Sequence, residues 1–368
     1  LPEGGAFASD GERRFHGVTL TRMHIPTDAT VIYGLGSKQP GSVFMTSIEM
    51  IAAARARLQG HIRRTPLLSS PFFDEMAGRR VFVKAECLQH TGSFKFRGGW
   101  SALSGLGPQV RSRGVIAFSS GNHAQGVALA AKRHDVPSVI IMPADAPRLK
   151  IENTRAFGAD VVLYDREKED RDAIGARLSE ERDLTLIKPF DDPLVIAGQG
   201  TTGLEIAAQA DEEGIRAAEV LVPCGGGGLS AGIALALEAH APHFTLRTCE
   251  PEHFDDTARS LRSGTTTRNA AISGSICDAI LTPEPGKLTF PILKRLAAAG
   301  IAVTDEEALR AMALAFKRLK IVVEPGGAVA LAAALFHGKA LESDTVIAVA
   351  SGGNVDTAVF SMALERFG

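Results

Sequence analysis

From residue 80 to the C-terminus, short apolar runs alternate with longer amphipathic ones. "VFVKAE" (81–86), "GVIAFSS" (114–120), "SVIIMP" (138–143), "ADVVLYD" (159–165) and "LTLIKP" (184–189) are rich in β-branched residues and read as strands. Between them, "AQGVALAAKRH", "LKIENTRAFG" and "RDAIGARLSEER" are each long enough for about two or three helical turns. Later, "EVLVPCGGGG" (219–228) leads into "LSAGIALALEAH", and "DTVIAVASGGN" (344–354) into a closing helix. Continuous apolar strands that alternate with helices predict parallel sheets covered on both faces. The chain carries more of these pieces than one sheet needs, which predicts two open parallel-sheet α/β domains. No repeat of fixed period is visible.

The start of the chain breaks this pattern. "LPEGGAFASDGERRFHG" and "YGLGSKQPGSV" have no apolar period, and they lack the apolar core and cleavage site of a secretory signal. In "MTSIEMIAAARARLQGHI", Thr46 and Glu49 have capping-box spacing, and Ile48, Ile51, Leu58 and Ile62 fall near one helical face. Residues 1–45 therefore read as a leader or disordered tail, with a natural start near Met45.

Composition narrows the function classes. The chain has 368 residues, 45% hydrophobic and 22% charged, which suits a soluble protein of two domains. A net charge of -2 gives no reason to expect a nucleic-acid partner, and no apolar run is long enough for a membrane span. Cys87, Cys224, Cys249 and Cys277 have no C-x-x-C spacing and read as reduced thiols of a cytoplasmic protein.

In open parallel sheets, ligands bind where strands end and helices begin. Three such turns are rich in glycine and small polar residues: "SSGNHAQG", "PCGGGGLSAG" and "ASGGNVD". The second offers several backbone N–H groups at a helix start, and its glycines let a phosphate come close. It has neither the lysine of a triphosphate loop nor G-x-G-x-x-G spacing, so a phosphate cradle and a tightly packed turn both remain open. In the first turn, Ser120 or Asn122 could simply cap a helix, Ser351 could be a turn residue, and Glu324 in "VVEPGGA" a cap beside proline. Lys95 in "TGSFKFRG" is different, because it stands between Phe94 and Phe96. A desolvated lysine loses pKa and becomes nucleophilic. A phosphate cradle and such a lysine together point to pyridoxal phosphate, which carries both a phosphate and an aldehyde.

"KAECLQHTGSFKFRGG", "SSGNHAQG", "IAGQGTTGLEI", "PCGGGGLSAGI", "EPEHFDD" and "SGGNVD", in this order, resemble the serine/threonine dehydratase and serine racemase family. That family has the tryptophan-synthase-β-like fold (fold type II), and the resemblance runs from about Ile48 to the C-terminus. It implies that Lys95 holds the cofactor covalently and then takes the substrate Cα proton. Phe94 would lie against the pyridine ring and Asn122 would bond the ring hydroxyl. The amides of Gly225, Gly226, Gly227, Gly228 and Leu229 would hold the phosphate, Ser351 would meet the ring nitrogen, and Glu324 would border the cofactor. Ser119, Ser120, Asn122 and His123 would receive the substrate carboxylate. Ser120, where many threonine dehydratases have alanine, is a second catalytic candidate on the face opposite Lys95, and it permits racemisation.

Arg171 falls near a substrate-interacting arginine of serine racemases, although an exposed helix arginine is the alternative. "EPEHFDD" matches the family's divalent-cation loop, with Glu250 and Asp256 supplying carboxylates and Phe254 a carbonyl to Mg²⁺ or Ca²⁺. Trp100, the only tryptophan, is expected to narrow the pocket beside Lys95. The implied enzyme is an ammonia-lyase that converts a small β-hydroxy amino acid, such as serine, threonine or 3-hydroxyaspartate, to a 2-oxoacid and ammonia. A homodimer is expected, with a cofactor domain of 46–96 plus 192–368 and a smaller mobile domain of 97–191. The alternatives are a serine-type racemase, a dehydratase of hydroxyectoine breakdown, or a catalytically silent ligand-binding protein.

Overall fold

The computed structural model describes residues 45–368 apart from 120, 147 and 166; the expectations for residues 1–44 and for Ser120 lie outside the described residues. Among the described residues, ten strands form two sheets: β1 (Leu67–Ser69), β2 (Arg80–Lys84), β3 (Val115–Phe118), β4 (Ser138–Pro143), β5 (Asp160–Tyr164), β6 (Thr185–Leu186), β7 (Ala218–Pro223), β8 (Phe244–Pro251), β9 (Ile301–Val303) and β10 (Thr345–Val349). The six-stranded sheet has the order β1-β2-β10-β7-β8-β9 and the four-stranded sheet β5-β4-β3-β6. β1 runs antiparallel to β2, and every other pairing is parallel. The central strands β4, β7 and β10 are buried along their whole length, and the one charged residue among them, Glu219 of β7, is paired with Arg247.

Several strands escape the apolar pattern. β1 and β9 have only three residues each. β8 contains Arg247, whose Nε donates to Glu219 Oε1 of β7 at 2.6 Å, so the buried charge is paired within the sheet. β6 is shorter than the run 184–189, because only Thr185 and Leu186 pair with β3 before Pro189 ends the segment. The first helix, Ile48–Leu58, is capped by Ser47, whose Oγ accepts Met50 N–H, and not by Thr46. Thr46 Oγ1 donates instead to Pro193 O at 3.3 Å, which ties the helix start to the helix Pro193–Glu212.

Two packing features place the functional residues. The helices Lys95–Gly105 and Asn122–Arg133 cross where Gly126 meets Lys95. A Cβ on Gly126 would lie 2.9 Å from Lys95 C, so only glycine lets the two helix starts come this close. Behind them, fully buried Arg97 donates to both oxygens of Glu86 at 2.7 and 2.8 Å and to Glu205 Oε1 at 2.7 Å. Lys84 Nζ reaches Glu205 Oε2 at 2.6 Å. Two cations thus balance two carboxylates and fix the end of β2 against the helices around it. Among the described residues, no helix is long and apolar enough to cross a membrane.

Candidate active site

A cavity of about 280 Å³ lies at the carboxyl ends of β3, β7 and β10, and Phe94 and Lys95 line it. Residues 91–94 are held to the turn after β10: Phe94 N–H donates to Ser351 O at 3.1 Å and Gly353 N–H to Gly92 O at 2.9 Å. Thr91 and Gly92 both have positive φ, 61° and 71°, which makes the sharp bend before the helix. Lys95 is the first residue of that helix, and its Nζ donates to Pro189 O at 2.8 Å. Burial lowers its pKa to about 8, against a weaker opposing pull from the Glu324 charge. The two flanking aromatics do not share the task expected of them. Nζ lies 5.2 Å from the Phe94 ring centre, whereas Phe96 is fully buried on the other side against His90 and Trp100.

The glycine turn after β7 forms a cradle. Gly227 has φ 88° and caps the helix Gly228–His240. A Cβ on Gly226 would collide with the Phe190 ring, and one on Gly227 would meet Thr289 Oγ1 at 2.8 Å. Among the described residues, the amides of Gly225, Gly226, Gly227, Gly228 and Leu229 donate to no backbone carbonyl outside the regular elements, and the last two lie in the first turn of the helix. The residues fit pyridoxal phosphate. Free amides at a helix start suit its phosphate, and the lysine of lowered pKa in the same cavity suits its aldehyde.

On the side of the four-stranded sheet, the helix Asn122–Arg133 opens into the cavity. Asn122 Nδ2 donates to Glu324 Oε1 at 2.5 Å, and its Oδ1 accepts from Asn354 Nδ2 at 2.7 Å. Asn354 Nδ2 also donates to Thr91 O, so one chain of bonds joins both sides of the cavity. Glu324 is 3% exposed, and burial pushes its carboxyl up to about 7. His123 Nε2 lies 2.9 Å from Ile187 O, and burial with the nearby Lys95 charge lowers its pKa to about 3. The imidazole is therefore neutral and donates through Nε2. Ser119 Oγ accepts Gly121 N–H at 3.1 Å.

Residues 58–352 match the model of the family described as pyridoxal-phosphate dependent enzyme. The chain belongs to that family. It is 40% identical to an L-threo-3-hydroxyaspartate ammonia-lyase of a Pseudomonas species, over 87% of this chain and 99% of that protein. Among solved structures, a T.th. threonine deaminase has a TM-score of 0.79 and 45% identity, with 84% of this chain and 99% of that one covered. Maize serine racemase has a TM-score of 0.81 and 35% identity, with 88% and 98% covered.

The remaining expected residues of this pyridoxal-phosphate dependent enzyme fall into three groups. Ser351, Leu229 and Arg171 line the cavity with Lys95. Arg171 starts the helix Arg171–Arg182, with its guanidinium 5.4 Å from the Phe118 ring centre. Trp100 does not line the cavity. It is 3% exposed, stacked between His61 and His134, and its Nε1 donates to Arg57 O at 2.9 Å. The loop 250–256 lies elsewhere. Both oxygens of fully buried Glu250 accept amides, from Thr257 and Ala258 at 2.8 Å each. Burial, then the Asp256 charge, push Glu250 well above the carboxylate range, and burial pushes Asp256 up to about 7. Asp256 Oδ1 accepts from Asn269 at 2.6 Å, whereas its buried Oδ2 has no partner among the described residues. No cluster of three or more His, Cys, Asp or Glu side chains is placed to hold a metal among the described residues. A cation here would depend on two carboxylates, the Phe254 carbonyl and water, and the orphaned Asp256 oxygen fits such a ligand.

Motif reading missed Phe190, Lys150 and Asp278, all of which line the cavity. "KPFDD" carried the only usable signal for Phe190, a proline-terminated strand end beside acidic turn residues.

Proposed function

We propose that this protein is an ammonia-lyase that eliminates water from a small β-hydroxy amino acid to give a 2-oxoacid and ammonia. The observation that carries the reading is Lys95 Nζ, lowered to about 8 in the same cavity as the free amides of residues 225–229. When bound, pyridoxal phosphate supplies the electron sink that makes the Cα proton labile. Lys95, whose lowered pKa of about 8 makes its neutral form far more accessible than that of an ordinary lysine, takes that proton. The helix start favours the substrate α-carboxylate through the main-chain amides of Asn122 and His123, while the His123 ring stays bonded to Ile187 O, and Ser119 and Ser120 would add their hydroxyls. The β-hydroxyl takes up the proton that Lys95 held and leaves as water, and the remaining enamine tautomerises and is hydrolysed by a second water to the 2-oxoacid and ammonia. The Asn354–Asn122–Glu324 chain holds the Asn122 side chain in place, and Asn122 would bond the ring hydroxyl of pyridoxal phosphate when it is bound.

The similarity to maize serine racemase supports a second reading, in which Ser120 exchanges a proton on the opposite face. The orphaned Asp256 oxygen supports a bound Mg²⁺ or Ca²⁺ at Glu250, Phe254 and Asp256. Four buried cysteines, each a free thiol that burial keeps protonated, support a reducing, cytoplasmic setting. We read residues 97–191 as a smaller domain that closes over the substrate, and the assembly as a homodimer. Incubation with L-serine, L-threonine and L-threo-3-hydroxyaspartate tests the lyase, with 2-oxoacid and ammonia as the readout. Racemised amino acid without oxoacid would favour the second reading, and no turnover of any of the three would overturn the lyase.

A further inference from the structure

We propose that Trp100, clamped between His61 and His134, positions the two helices that begin at Lys95 and Asn122, and that protonation of His134 releases the clamp. The inference takes its functional consequence from the lyase reading, but its test does not depend on turnover.

The helices Lys95–Gly105 and Asn122–Arg133 touch near their active-site ends, where a Cβ on Gly99 would lie 3.0 Å from Gly126 O. Away from that contact they are joined through rings. The Trp100 indole, the only one in the chain, has the His61 and His134 rings at 4.2 Å each, inclined by 24° and 37°. His134 caps the helix Asn122–Arg133, whereas His61 follows the helix Ile48–Leu58, with its N–H on Leu58 O at 3.0 Å. Trp100 Nε1 donates to Arg57 O at 2.9 Å and Arg133 Nη1 to His61 O at 3.3 Å, two more bonds across the same junction. One ring sandwich thus ties residues 57–61 to both helices that carry cofactor-facing side chains. His134 itself lies outside the cavity, so it is a positioning residue.

The surroundings decide what a proton does there. His134 Nε2 is buried and has no partner among the described residues, so an N–H at that atom would be enclosed with nothing to accept it. Arg111 of the helix Pro108–Arg113 and His61 both oppose a charge on His134, and Asp135 favours one. Arg133, next to His134 in the chain, has its guanidinium 5.3 Å from the Phe96 ring centre. A cation over an indole face gains attraction, but burial first, then Arg111 and His61, lower the His134 pKa from the ordinary 6.5. Clamped His134 therefore holds a proton less tightly than released His134. The clamp is intact above pH 6.5 and weakens as pH falls below it.

The test uses the pyridoxal phosphate-loaded enzyme and the emission of its single tryptophan, which an adjacent imidazolium quenches. His61→Gln, an exposed change, leaves His134 as the one imidazole against Trp100. Its emission is expected to fall as pH drops, with a midpoint below 6.5, and adding His134→Gln should abolish the transition. Binding of L-alanine, which has no β-leaving group, is then measured by calorimetry in wild type and His134→Gln. The two should agree within about 2-fold at about pH 8, and at about pH 5.5 wild type should bind at least about 3-fold more weakly. Emission that ignores pH, or a midpoint at or above 6.5, would overturn the clamp. The expected transition with equal alanine binding in both proteins would overturn its hold on the two helices. Clamp behaviour in a protein that releases no 2-oxoacid would remove the lyase and leave the clamp, and a lyase with pH-independent emission would do the reverse.

Discussion

Replacing Glu324 by glutamine removes an ionisable carboxyl from the interior but keeps an oxygen for Asn122 Nδ2, which now donates to Glu324 Oε1. Burial raises this carboxyl from an ordinary 4.5 to about 7, with Asp278 adding to the rise and Asn122, Lys150 and Lys95 opposing it. That displacement corresponds to roughly 3 kcal/mol of folding free energy once the unfolded and the folded chain are both ionised. The folded protein holds the proton more tightly than the unfolded one. The stability it contributes is full below pH 4.5 and is lost as pH rises through about 7. Urea unfolding of wild type and Glu324→Gln, without added cofactor, measures the difference directly at about pH 5 and about pH 8. The two proteins should lie within about 1 kcal/mol at the lower pH, and the variant should be more stable by about 3 kcal/mol at the higher. A difference that does not change with pH would show that Glu324 titrates normally. A variant less stable at the higher pH would show that Asn122 needs a charged partner.

Three further outcomes follow from the same geometry. Gly226→Ala places a methyl against the Phe190 ring, so equilibrium dialysis should show pyridoxal phosphate affinity falling by about 100-fold or more while far-ultraviolet circular dichroism is retained. Glu86→Ala leaves fully buried Arg97 with Glu205 as its only carboxylate, and denaturant unfolding should record a loss of about 3–5 kcal/mol. With its pKa at about 8, Lys95 gains its reactive neutral form as pH rises to that value. The rate of cofactor incorporation, followed by absorbance, should climb with pH and level near about 8, where an ordinary lysine would keep climbing.

The alternation of buried strands and helices was readable wherever apolar runs were long, as in β4, β10 and the Val220–Pro223 part of β7. β8 was not, because Arg247 looks like a surface residue until Glu219 is placed beside it from the neighbouring strand. Lys95, Asn122, Ser351 and the four glycines were readable for a local reason: each stands in a short turn of small residues at a strand or helix end. Trp100 was misplaced by sequence proximity alone. Five residues beyond Lys95 on one helix, it points about 140° away and packs among His61, His134 and Phe96. Lys150 and Asp278 have no local signal at all, since a solvated lysine and a turn aspartate look the same until the fold brings them together across 128 positions.

The central claim is that Lys95 holds the cofactor and moves the Cα proton. Purified protein with pyridoxal phosphate should show a visible absorbance band, and adding L-serine, L-threonine or L-threo-3-hydroxyaspartate should release 2-oxoacid and ammonia in equal amounts for at least one of them. Lys95→Ala should lose both the band and the release. A protein that forms no band, or a Lys95→Ala variant that still releases oxoacid, would contradict the account.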